Sequence, residues 1–208
     1  MESRLGALQR RILSILAGFD PPWRLTGGAA LAGYHLGHRT TRDLDLFFAR
    51  SALDSIPTEI ESTLRAAGLA VRVEREAPGY RRYVVEDGAE RTIVDLVAEP
   101  VPPVLPAVEA APGVRVDSAQ EILANKLTAL LGRSALRDLV DVDALLRAGA
   151  DFDLALTHAA MKDGGFSPPT LAWVLDQLPV EPLARSAGLD PAPLLVARAY
   201  LVRRLLKS

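Results

Sequence analysis

The chain has 208 residues, 49% of them hydrophobic, and a formal net charge of −2. That length and composition suit one large domain or two small ones with a real core, and they exclude a disordered chain. The near-balanced charge gives no overall sign of nucleic-acid binding, so any basic surface must be a local patch, and the lack of cysteine excludes disulfides and thiolate metal sites.

The first 18 residues predict an amphipathic helix with Leu5, Leu8, Ile12, Ile15 and Leu16 on one face; the apolar part of RRILSILAGF is too short for a signal peptide. A short strand is expected over Trp23–Leu25, then a helix opened by Gly27-Gly28 and running to about Leu36, then a strand over Asp43–Phe48. Pro57 opens a helix that Gly68 ends, and three strands follow over 69–74, 80–86 and 92–97, with Asp87-Gly88 marking a tight hairpin. From Glu99 to Gly113 a proline-rich segment predicts a connection or an extended cover. Beyond it only helices are expected, over 118–131, 135–148, 152–162, 169–178 and 194–206. The plan is an α+β or α/β half, residues 1–113, and an all-helical half, residues 114–208. No run of 18 apolar residues occurs, which predicts a cytoplasmic protein with no membrane span.

The informative stretch is LTGGAALAGYHLGHRTTRDLDLFF, residues 25–48. Alternation puts Asp43 and Asp45 on one face of their strand, with Leu44 and Leu46 on the other. Two carboxylates about 4 Å apart repel by several kcal/mol at an effective dielectric near 20, so a cation is expected between them. Magnesium suits such a pair, since it takes one or two carboxylates plus substrate phosphates. Gly27 and Gly28 let the backbone approach a ligand at a helix start, where free N–H groups favour phosphate. Asp95, set between core-type Val94 and Leu96, is costly unless paired, and it is the candidate third acid. Asp43, Asp45 and Asp95 together suit phosphoryl or nucleotidyl transfer with one or two Mg2+ ions, one activating the attacking hydroxyl and one holding the triphosphate. Arg39 and Thr40, with Arg42, flank the pair as a phosphate-contacting or solvated loop. His35 and His38 read as surface residues. Only three of the 24 basic residues are lysines, Lys126, Lys162 and Lys207, so an interior lysine stands out.

The Gly-Gly turn, the R-T-T-x-D-L-D-L run and the later strand aspartate resemble the nucleotidyltransferase fold shared with DNA polymerase β. Within it, GGAALAGYHLGHRTTRDLDLF and EILANKLTALLGRSALRDLVDVDALL resemble the AbiEii-type nucleotidyltransferase toxins of bacterial toxin–antitoxin systems, over roughly residues 23–147. The resemblance implies a mixed sheet flanked by helices, an NTP substrate and a helical domain completing the active-site cleft. It gives Lys126 a role at the triphosphate and Asp138 one in the active centre, orienting Lys126 or Arg133 or helping to activate the acceptor. It also implies tRNA 3′ ends as an acceptor class and a separately encoded antitoxin. Read from the residues alone, Arg137, Asp138 and Asp141 make ordinary helix-surface ion pairs.

Two other readings stand beside this one. The same spacing resembles enzymes that nucleotidylate aminoglycoside or lincosamide antibiotics. A catalytically silent nucleotide-binding or interaction module is the third reading, against which the intact D-x-D argues. The basic stripe Arg198, Arg203, Arg204 and Lys207 on the last helix could hold an RNA backbone, with a solvated face as the plainer account.

Overall fold

The computed structural model describes residues 3–20, 22–49, 56–99 and 101–207. They form two compact units, divided after Ser118.

The first unit is built on a seven-stranded mixed sheet. Its strands are β1 (Trp23–Thr26), β2 (Asp43–Ala49), β3 (Ala70–Ala77), β4 (Tyr80–Asp87), β5 (Glu90–Glu99), β6 (Val108–Ala111) and β7 (Val114–Val116), in the order β3-β4-β5-β2-β1-β7-β6. β2 and β5 run parallel through the middle, and β1 lies antiparallel to β2 on its other side. Period-2 alternation sorts the side chains. Trp23, Leu25, Leu44, Leu46, Phe48, Tyr83, Val85, Val94 and Leu96 fill one face and are buried. Helices α1 (Ala7–Ile15) and α3 (Ile56–Ala66) bring Leu8, Ile12, Ile60 and Leu64 to the same core. Two polar contacts tie them down: Trp23 Nε1 donates to the Leu16 carbonyl at 2.8 Å, and the Tyr83 hydroxyl to that of Pro57 at 2.7 Å. The opposite face of the sheet carries the acids.

The glycine-opened helix is shorter and looser than expected. One α-turn, α2 (Gly27–Ala30), passes into a π-helical turn over Leu31–His35, a form that recurs at functional sites. The hairpin between β4 and β5 turns on Gly88-Ala89, not Asp87-Gly88, with Gly88 at φ 59° in the first central position and Asp87 opposite Glu90.

The proline-rich segment ends in a hairpin that the sequence reading did not separate. β6 lies inside it, and β7 follows the position where only helices were expected. V-R-V is too short for alternation to be recognised, but Gly113 at φ 72° turns the chain back and the Gly113 N–H donates to Glu109 Oε1 at 3.1 Å. β7 joins β1, and the Asp117 N–H donates to the Leu25 carbonyl at 2.9 Å.

The second unit is helical: α4 (Ala119–Arg133), α5 (Leu136–Arg147), α6 (Phe152–Lys162), α7 (Pro168–Gln177), α8 (Val180–Ser186) and α9 (Pro191–Leu205). α4 packs against α5, α6 and α7, and α9 against α5, α7 and α8. α4 buries Ile122, Leu123, Leu127 and Leu130, and with them Glu121 and Lys126. Lys162 pairs with Glu121 in that interior. α8 was not expected, because Pro182 and its short length hide the periodicity. α9 starts three residues early, with the Asp190 side chain capping Ala192 at 3.0 Å and Pro191 at the first helical position. Among the described residues no helix is long and apolar enough to cross a membrane.

Candidate active site

Asp43 and Asp45 project from β2 on the face opposite Leu44, Leu46 and Phe48, as strand alternation requires. Asp95 projects from β5 on the same face, between buried Val94 and Leu96, and is itself only 4% exposed. The parallel register pairs Asp45 with Asp95, and the antiparallel one pairs Thr26 with Asp45. One oxygen from each of Asp43, Asp45 and Asp95 lies within 4.8 Å of the others. Among the described residues the three carboxylates form an oxygen-only set, which fits a hard divalent cation of the magnesium or calcium kind.

The glycine turn presses on this group. Gly27 adopts φ 63°, and a Cβ there would lie 2.5 Å from Asp45 Oδ2. A Cβ on Gly28 would lie 2.8 Å from an Arg39 guanidinium nitrogen and 3.2 Å from Thr41 Oγ1. Both positions are thus open because they are glycine, and the carboxylate and guanidinium come up against bare backbone. Thr41 Oγ1 donates to Asp43 Oδ1 at 2.6 Å. Thr40 is exposed, and its carbonyl accepts a hydrogen bond from Arg39 at 3.1 Å. Arg42 is exposed, while its carbonyl accepts from the Ile93 N–H at 3.0 Å and from Thr92 Oγ1 at 2.9 Å, fixing the approach to β2.

Two residues at this centre escape the sequence reading. Arg82 on β4 is the register partner of Asp95 and forks onto it, Nε to Oδ1 at 2.7 Å and a terminal nitrogen to Oδ2 at 2.8 Å. The Tyr80 hydroxyl donates to Asp95 Oδ1 at 2.8 Å. Burial first, and then this bond to the carboxylate, push the Tyr80 hydroxyl up to about 12. The signal was available: once the hairpin turn is set at Gly88-Ala89, counting back from it puts Arg82 opposite Asp95. Taking Asp87-Gly88 as the turn slips the register by two and hides the pair.

Lys126 and Asp138 meet in the second unit. The Lys126 ammonium, on α4, contacts Asp138 Oδ1 at 2.8 Å and Asp141 Oδ2 at 2.7 Å, one helical turn apart on α5. Arg133 forks onto Asp138 at 2.7 and 2.8 Å. Both aspartates are fully buried, so the surface-pair account of Asp138 and Asp141 does not apply. Burial alone raises the Asp138 pKa, but the Arg133 hydrogen bond and the Lys126 charge outweigh it and hold the group below 3.8. Ser134, at φ 49°, makes the left-handed turn that folds α5 back beside α4. Arg137 is exposed.

His35 corrects the surface reading. It is half-buried, with Nε2 at 2.8 Å from the Asp117 carbonyl oxygen, and His38 is half-buried as well. The C-terminal stripe is partly used within its own unit. Arg198 donates to the Leu178 carbonyl at 3.0 Å, and Arg204 pairs with Asp153 at 2.7 Å while lying 5.0 Å from the centre of the Phe152 ring.

The family model of the nucleotidyl transferase AbiEii toxin, type IV TA system, matches residues 11–194. No curated protein matches the chain in sequence. The fold is similar to that of MenT4, a nucleotidyltransferase toxin from Mycobacterium tuberculosis H37Rv, with a TM-score of 0.65 and 18% identity over 95% of this chain and 85% of that one. It is similar to JHP933 from Helicobacter pylori, with a TM-score of 0.61 and 20% identity over 96% and 89%. The antibiotic-resistance factor ANT(2'')-Ia gives a TM-score of 0.53 and 18% identity over 73% and 87%. At these identities the likeness is one of fold.

Proposed function

Since the chain belongs to the AbiEii nucleotidyltransferase toxin family, we propose that it transfers an NMP from an NTP to the 3′ end of tRNA in a magnesium-dependent reaction. The observation that carries this reading is the convergence of Asp43, Asp45 and Asp95 beside a glycine turn where an added Cβ would meet Asp45 or Arg39. The reaction forms a bond from the α-phosphorus to an acceptor hydroxyl oxygen and breaks the bond to the β-phosphoryl group. Pyrophosphate leaves, and the hydroxyl proton passes to a carboxylate of the triad.

The three aspartates would hold one or two Mg2+ ions. Bound there, Mg2+ neutralises developing charge on the phosphates and lowers the pKa of the attacking hydroxyl. Gly27 and Gly28 offer backbone approach to the triphosphate, and Arg39, packed over Gly28, adds a guanidinium suited to phosphate. Thr41 holds Asp43 in one orientation. The family resemblance gives Lys126 a role at the triphosphate, and within its own unit Asp138 and Asp141 fix its ammonium. The basic side chains Arg39 and Arg42 near the acids favour a polyanionic acceptor over a cationic drug. As a family member it would be silenced by a separately encoded antitoxin, and a tRNA acceptor would have it act in the cytoplasm.

The test is label transfer. The protein and its Asp45→Asn variant are incubated with Mg2+, each α-labelled NTP in turn, and total tRNA or an aminoglycoside. Label on tRNA with the unmodified protein alone supports the proposal and names the nucleotide. Label on the aminoglycoside alone assigns the chain to small-molecule modification. Label on neither removes both acceptors.

A further inference from the structure

Asp45 rests against the Gly27 backbone and Asp43 accepts from the Thr41 hydroxyl. Asp95 is gripped by a full cation, with both of its oxygens taken by the Arg82 fork. We propose that Arg82 is the built-in counter-cation of the triad, holding Asp95 until a divalent ion displaces it and thereby setting how tightly that ion binds. The inference rests on the nucleotidyltransferase reading of the triad.

Register makes the contact a fixed feature of the sheet. Arg82 and Asp95 are direct partners on antiparallel strands, so their side chains stand on the same face and cannot avoid each other without a slip of the hairpin. The guanidinium plane matches the carboxylate edge, the strongest geometry available to such a pair. Unlike a lysine or histidine, Arg82 cannot shed its charge to make room, because arginine stays protonated at any working pH. It has to move or share. It can move, since its side chain is one-third exposed whereas that of Asp95 is buried.

The consequence is that Asp95 can contribute fully to a bound ion only when the fork opens. The two positive charges of a divalent ion replace the single one of the guanidinium in that exchange. Tyr80 holds Oδ1 by a bond separate from the fork, a restraint on the carboxylate that does not depend on the guanidinium.

A purely orienting role for Arg82 predicts the opposite effect on metal affinity, which makes the two separable. Mn2+ binding to the full-length protein, without nucleotide, is measured by electron paramagnetic resonance and by calorimetry for the unmodified chain, Arg82→Gln and Arg82→Lys. Loss of the competing cation in Arg82→Gln should tighten Mn2+ binding by about tenfold. Arg82→Lys, which keeps the charge but cannot fork, should fall between, and it serves alone if Arg82→Gln fails to fold. Adding Asp95→Asn to the unmodified chain and to Arg82→Gln should erase the difference between them. Equal or weaker Mn2+ binding in Arg82→Gln overturns the counter-cation role and leaves the triad intact as a metal site. Absence of Mn2+ binding in every variant overturns the metal reading itself.

Discussion

Asp45 and Asp95 are register partners across the parallel seam between β2 and β5, although α3, β3 and β4 separate them in the chain. The D-x-D motif owes its third member to this register. A slip of one residue would turn Asp95 into the apolar layer and set Val94 or Leu96 against the acids.

Asp45→Asn should abolish the stabilisation that Mg2+ gives, because it removes one of the three carboxylate donors. Thermal melting with and without Mg2+ checks this. The unmodified protein should melt higher with the ion, and the variant should gain nothing from adding it.

Gly27→Ala should damage the site more than the fold. The left-handed φ of 63° costs a residue with a Cβ about 1–2 kcal/mol, and the new methyl group would meet Asp45 Oδ2 at 2.5 Å. Urea unfolding should show that modest loss. Mn2+ affinity should drop by about tenfold or more as Asp45 is displaced. Unchanged affinity would show that Asp45 does not need the bare backbone beside it.

Lys126→Met is expected to be among the most destabilising single changes in the helical unit. It removes the cation shared by two fully buried carboxylates, a loss worth about 3–5 kcal/mol. Adding Asp138→Leu and Asp141→Leu should recover much of that loss, because an apolar cluster of similar volume needs no compensating charge. Denaturant midpoints of the single and triple variants measure the difference. A single variant as stable as the parent would place Lys126 outside the energetics of the fold.

Acid should loosen the same cluster. Asp138 ionises more readily in the folded protein than at its ordinary value of 3.8, so the unfolded chain takes up the proton more readily. The resulting stabilisation is present above about pH 3.8 and disappears as pH falls through the folded value. Urea midpoints followed from pH 6 down through the acid range should fall steeply below about pH 4. In Asp138→Asn the midpoint should start lower and this limb should be shallower. An identical acid limb in both proteins would locate the sensitivity elsewhere.

Strand periodicity made the acids legible. Alternating D-L-D-L fixes which side chains share a face, and Asp95 announced itself as a charge inside an apolar run. The partners of Asp95 stayed hidden because their identity depends on hairpin register, and a turn shifted by one residue moves the pairing by two. Lys126 was visible as an interior lysine, but its burial between Asp138 and Asp141 is a property of two helices packed together, which no single-helix pattern contains. β6, β7 and α8 were missed for one reason: three to seven residues carry too little periodicity to outweigh nearby proline.

The parallel seam also imposes a schedule. β1 and β2 can pair as soon as they leave the ribosome, since an antiparallel neighbour needs only a short connection. β5 emerges about fifty residues after Asp45, a delay of several seconds at ordinary translation rates. Through that interval a nascent chain bears two of its three acids, and Tyr80 and Arg82 emerge ahead of the carboxylate they hold. On the proposed reading, which needs all three acids, the nascent chain is inert until the middle of the sheet closes.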